Sequence, residues 1–178
     1  FILPKISFGQ NQIPLEPLKI GTQTSNDWVV LGNSKFDTKD FSGAIGYYNK
    51  AIELDSLNAE VYYRRANARF NNKEYPNVIE DCSAAIKLKS DFSEAYFVRG
   101  NSRQNMKDFT GSIADYDNAI RGKPDFVEAY LYRGNSKQMV KDYLGAANDF
   151  STAISINPKY PEAQQSMGDL HREVGDFS

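Results

Sequence analysis

The chain has 178 residues, 40% of them hydrophobic and 25% charged, with a formal net charge of −2, which is the composition of a folded domain or a short run of repeats and not of a disordered tail. No run of Lys and Arg is present to neutralise phosphates, which excludes nucleic acid as the natural partner, and no apolar stretch reaches the ~18–20 residues of a membrane span. The single cysteine, Cys82, rules out an internal disulfide, so stability has to come from packing.

Residues 1–24 form a lead segment. Its opening, Phe1 to Gln10, resembles the tail of a bacterial secretory signal, with the small residues Ser7 and Gly9 flanking Phe8 at −3 and −1 of a cleavage before Gln10. That reading places the protein in the periplasm or outside the cell. The alternative is an ordinary irregular arm on a cytoplasmic protein, since Pro4 and Lys5 interrupt the apolar run and Pro14 and Pro17 break any helical period.

From Ser25 onward the chain aligns with itself, without gaps, at an offset of 34 residues. The block 25–58 holds Trp28, Leu31, Gly32, Ala44, Tyr48 and Ala51. The block 59–92 answers with Tyr62, Ala66, Val78, Cys82 and Ala85. In 93–126 the matching residues are Tyr96, Gly100, Ser112, Tyr116, Ala119 and Pro124, and in 127–160 they are Tyr130, Gly134, Ala146, Phe150, Ala153 and Pro158. A partial fifth block, 161–178, keeps Gly168. Each block divides into a helix A and a helix B, because its apolar residues recur at three- and four-residue steps on either side of a Lys-acid turn such as Lys39-Asp40 or Lys107-Asp108. Gly32, Gly100, Gly134 and Ala66 let helix B approach helix A, and Tyr48, Tyr116 and Phe150 fill the space between them.

These blocks resemble the tetratricopeptide-repeat (TPR) family, whose period and W-x-x-L-G…A-x-x-x-F…P pattern they follow. The resemblance implies an all-α fold, a right-handed α-α superhelix of antiparallel hairpins, each completing its neighbour's core. It also implies a protein–protein interaction scaffold that binds a protein or an extended peptide on the concave face lined by the A helices, with no cofactor.

One pair of positions varies together among the blocks. Arg65, Arg99 and Arg133 in helix A accompany Asp81, Asp115 and Asp149 in helix B, whereas block one has Leu31 and Tyr47 there. An intra-repeat ion pair explains this, and so does duplication of a unit whose two residues never touch.

On the groove side, Asn33, Asn67, Asn101 and Asn135 occupy one position in all four full blocks, although Asn is a mediocre helix former. The row resembles the asparagine ladders of peptide-gripping superhelices, whose amides bond a ligand backbone; the alternative is that each Asn bonds to the neighbouring repeat and holds the pitch. Beside it lie Tyr63, Arg64, Phe97, Leu131 and Tyr132, expected to contact the peptide, with core packing as the alternative for the apolar ones. Phe36, Phe70, Gln104 and Gln138 follow one turn later. The first-turn acids Glu60, Glu94, Glu128 and Glu162 are read as complements to helix dipoles. Members of the family that clamp a C-terminal carboxylate pair such asparagines with Lys and Arg. Here those Lys positions hold Val29, Tyr63, Phe97 and Leu131, with only Arg64 nearby, so an extended, partly apolar peptide is the expected ligand.

No catalytic or metal constellation emerges. His171 has no second His or Cys at ligand spacing, Cys82 takes the place of a core aromatic, and nucleotide-binding and hydrolase motifs are absent. Helix A of the fifth block presents Ala163, Met167, Leu170 and Val174 with no helix B after it, a stripe expected to lie uncovered and to favour self-association. Two alternatives to a free-standing scaffold remain at this point: an accessory domain of a larger enzyme or sensor, and a self-associating structural subunit.

Overall fold

The computed structural model describes residues 23–175; the secretory-signal reading of Ser7 to Gly9 lies outside them. Among the described residues there are nine helices and no strand. They run as four hairpins, α1 (Ser25–Asp37) with α2 (Phe41–Leu54), α3 (Ala59–Asn71) with α4 (Tyr75–Leu88), α5 (Ser93–Asn105) with α6 (Phe109–Gly122), and α7 (Val127–Met139) with α8 (Tyr143–Ile156), followed by α9 (Pro161–Gly175). Each helix packs on the next in sequence, and the odd-numbered helices α3, α5, α7 and α9 also touch one another in succession. One face of the solenoid is therefore lined by the A helices.

Every hairpin turns in the same way. The lysines Lys39, Lys73, Lys107 and Lys141 take left-handed backbone angles, φ 61–64°, where glycine is the usual occupant. The Lys39 N–H donates to the Phe36 carbonyl and the Asp40 N–H to the Lys35 carbonyl, so two orphan carbonyls of α1 are satisfied. Asp40, Asp108 and Asp142 then cap the B helices by accepting from the backbone N–H of Gly43, Gly111 and Gly145. The second hairpin uses Pro76 in the first turn of α4 instead, and Glu74 makes no side-chain cap.

Between the helices of a hairpin the aromatic of helix B lies directly over the glycine of helix A. A methyl group at Gly32 would come within 2.5 Å of the Tyr48 ring, one at Gly100 within 2.7 Å of Tyr116, and one at Gly134 within 2.5 Å of Phe150. The second hairpin makes the reciprocal exchange: Ala66 replaces the glycine and Cys82 the ring, and both are fully buried with Val78. Buried among apolar neighbours, the Cys82 thiol is pushed far above its ordinary pKa and stays protonated, an inert core residue.

Of the two explanations for the Arg–Asp pairs, contact is what the structure shows. Arg99 grips Asp115 with Nη2 at 2.7 Å and Nε at 3.0 Å; Arg65 meets Asp81 at 2.5 and 2.9 Å, and Arg133 meets Asp149 at 2.5 and 2.9 Å. A second cation of the same A helix joins each carboxylate: Arg69 at 2.9 Å, Arg103 at 2.8 Å and Lys137 at 2.9 Å. Sequence comparison missed what the remaining nitrogen does. Nη1 of each arginine reaches back to the preceding B helix, to Asn49 at 2.7 Å, Ser83 at 2.9 Å and Asp117 at 2.6 Å. The first hairpin substitutes a different device, with Trp28 stacked on Tyr47 at 5.7 Å and Lys50 over the Trp28 ring at 4.3 Å.

The expected open stripe on α9 needs correcting. Ala163 and Leu170 are buried against Leu131, Phe150 and Ala153, and Met167 packs beside them. Any A helix buries one side of its apolar face on the hairpin before it, so only Val174, 42% exposed, stays open. Gly168 is the repeat glycine, yet no ring lies over it.

Two measurements test this core. Cys82→Tyr alone is expected to cost about 1–3 kcal/mol by overpacking and Ala66→Gly alone about 1 kcal/mol, whereas the pair together restores the ring-on-glycine fit and costs at least ~1 kcal/mol less than the sum. Strict additivity in urea unfolding would disprove the exchange. Asp115→Ala should cost about 3–5 kcal/mol by leaving Arg99 and Arg103 uncompensated in a largely buried site, and a double-mutant cycle with Arg99→Ala should show coupling above ~1 kcal/mol.

Candidate functional site

The position after each helix A glycine is the asparagine, so the close approach of helix B also fixes where the ladder lies. Tyr48 and Tyr116 extend past their glycines and donate their hydroxyls to Asn33 Oδ1 at 2.9 Å and Asn101 Oδ1 at 2.8 Å. Burial raises the pKa of both phenols, so they remain protonated donors. Arg64, a donor only, bonds the same Asn33 oxygen at 3.3 Å from the next repeat, which settles that the amide oxygen faces inward. The carbonyl of each is thus engaged within the protein.

The ladder is therefore not uniform. Asn67 stands opposite Cys82, which has no hydroxyl, and its NH₂ instead bonds the Tyr63 carbonyl at 2.9 Å. Asn135 stands opposite Phe150, which likewise has none. Of the two explanations weighed for the asparagines, the tie to a neighbouring repeat is seen at Asn33, through Arg64.

Two hollows open along the ladder. The first, about 430 Å³, is bounded by Asn33, Phe36, Tyr48, Tyr63, Arg64 and Asn67, with Asp37 at its edge. The second, about 330 Å³, is shared by Tyr63, Asn67, Phe97 and Asn101, and Phe70 and Phe126 supply apolar wall. Tyr63 and Asn67 border both, so the two hollows adjoin along the A-helix face. Tyr63 leans on Phe92, ring centroids 4.9 Å apart, and Phe97 packs among Phe126, Tyr116 and Tyr132 at 4.7, 5.9 and 5.7 Å. These rings are half-buried walls, each already braced by others. Tyr132, 37% exposed, projects further.

Leu131 does not line this face. It is 4% exposed and packs on Phe150 and Leu170, beneath the surface that Tyr132 forms. Helical periodicity alone did not separate it from Phe97 at the equivalent position. Sequence reasoning assigned Glu94 and Glu128 to the helix dipoles, yet both open onto the second hollow. The signal was present in the repeats: Glu60 has Arg64 one turn later, paired at 2.8 Å, whereas Glu94 and Glu128 have Val98 and Tyr132 there. Among the described residues no group of three or more His, Cys, Asp or Glu is placed to hold a metal ion, and no helix is long and apolar enough to cross a membrane.

Stacked helical hairpins, three of the four interlocked ring on glycine, with an asparagine-lined inner face define an α-α solenoid of the interaction-scaffold type. Residues 32–73 match the family model described as TPR repeat. No curated protein matches the sequence. Among solved structures it is similar to MamA, at 23% identity and TM-score 0.80, covering 85% of this chain and 82% of that one. It is also similar to MamA 41-end from Desulfovibrio magneticus RS-1, at 14% identity and TM-score 0.82, covering 87% and 88%. The first TPR of Spaghetti (RPAP3), bound to HSP90 peptide SRMEEVD, is similar at 27% identity and TM-score 0.63, covering 66% of this chain and 95% of that one.

Replacing Tyr116 by Phe removes the hydroxyl that Asn101 accepts from while keeping the ring over Gly100. The expected cost is about 0.5–1.5 kcal/mol of unfolding free energy. Unaltered stability in denaturant would show that the Tyr116–Asn101 bond does not hold the amide.

Proposed function

We propose that the A-helix face binds an extended, partly apolar peptide segment of a partner protein, with Asn33 and Asn101 donating to its backbone and Tyr63, Phe97 and Tyr132 contacting its side chains. Arg64, Asn67 and Asn135 complete the surface, and Leu131 serves the core beneath it. In this reading the array comprises four full repeats, 25–58, 59–92, 93–126 and 127–160, and a partial fifth, and it carries out no reaction of its own. The observation that carries the reading is the adjacency of the two hollows, which share Tyr63 and Asn67, beside asparagines whose carbonyls are already satisfied. An extended strand offers one backbone carbonyl every second residue to one side, which is what a spaced row of NH₂ donors engages. The likeness to a TPR domain bound to a peptide supports the mode of binding. It does not extend to that peptide's acidic end, because the cation positions hold Val29, Tyr63, Phe97 and Leu131.

The test is a selection of random peptides displayed on phage against the chain, with the winners measured by fluorescence anisotropy. Replacing Asn67, Asn101 and Tyr132 together by Ala is expected to weaken binding at least about tenfold, the sum of modest hydrogen-bond and aromatic losses. Affinity unchanged in that variant means the peptides bind elsewhere and the assignment is wrong.

A further inference from the structure

The groove is lopsided in charge. Arg64 is the cation bordering the first hollow, and it is already engaged by Glu60 at 2.8 Å and by Asn33 at 3.3 Å. Glu94 and Glu128 border the second hollow from the first turns of α5 and α7, and neither takes part in an ion pair or a hydrogen bond among the described residues. A favourable helix dipole accounts for one acid at each helix start. It does not account for two of them facing a common apolar recess with no cation between. Among the described residues no basic side chain lines the second hollow, and Lys123 lies over the ring of Phe126 at 4.8 Å without pairing to either acid.

A recess with aromatic and aliphatic sides and two carboxylates at its mouth matches one kind of side chain. Arg and Lys carry an apolar stem several carbons long ending in a cation. The stem fits against Phe97, Val98 and Tyr63, the head meets the carboxylates, and ring faces add attraction for a cation. Resting on the groove reading above, we infer that the second hollow receives a basic residue of the bound peptide, which makes the partner segment a basic one, with Glu94 and Glu128 selecting it.

The probe is a set of decapeptide pools, acetylated and amidated to remove terminal charge, with a central residue fixed as Arg, Lys, Gln, Leu or Glu and the other positions randomised. Competition anisotropy on the whole chain at low and high salt ranks them. The Arg and Lys pools are expected to bind about tenfold tighter than the Gln and Glu pools, with an advantage that shrinks as salt rises. In the variant E94Q/E128Q the advantage should fall below about twofold, with helix content by circular dichroism unchanged. Preference for Gln, Leu or Glu in the unaltered chain overturns the basic-residue pocket, and so does an Arg and Lys preference that survives the double substitution. In either case the groove itself stands as long as Asn101→Ala still weakens binding. Binding by none of the pools overturns the groove and the pocket together.

Discussion

The spacing of three of the four hairpins rests on one contact, a ring from helix B set against a helix A residue that has no side chain. At Gly32, Gly100 and Gly134 there is no room for a methyl group, so hairpin geometry is fixed by exclusion and not by attraction alone. The same contact governs the surface. The residue after each glycine is forced onto the inner face, and a ring long enough to carry a hydroxyl past the glycine reaches that residue's amide. Core packing and the hydrogen bond to the inner-face asparagine are two ends of a single tyrosine.

A second layer of order is electrostatic and runs across the repeats. A buried carboxylate is costly unless its oxygens are fully engaged. Asp81, Asp115 and Asp149 each receive two cations, one of them bidentate, and the arginine that grips also reaches to the preceding hairpin. Tyr62, Tyr96 and Tyr130 lie 5.3–5.5 Å from the guanidinium centres, so the ring that marks the start of each repeat also covers its ion pair. In the first repeat, where Leu31 and Tyr47 remove both charges, Trp28, Tyr47 and Lys50 form a stack in the same place.

Internal repetition made much of this legible in the sequence, because four copies act as four experiments on one geometry. The glycine–ring partnership, the Ala66–Cys82 exchange and the Arg–Asp contacts were all visible as residues that change together. Features set by two successive repeats were harder to read. Leu131 and Phe97 share a register position, yet Leu131 sinks under Tyr132 and against α9 while Phe97 borders the hollow. Ala163 and Leu170 read as uncovered because a helix was weighed without the hairpin that precedes it. The asparagines read as one ladder because letters repeat. Their amides differ because the partner across the hairpin is Tyr, Cys, Tyr or Phe, 15 residues later in the two bonded cases. Glu94 and Glu128 were legible only by asking which residue one turn away was missing.

The backward reach of Arg65, Arg99 and Arg133 has a consequence for how the array comes apart. A solenoid with purely local hairpins would melt piecemeal, but a strap from each repeat to its predecessor makes neighbours share a fate. The position corresponding to these arginines in α9 is Met167, which offers no such strap. Hairpins one to four are thus tied in series, while α9 joins the fourth by other means, the packing of Ala163, Met167 and Leu170 and the Glu173 carboxylate that accepts from Gln138 and Tyr143.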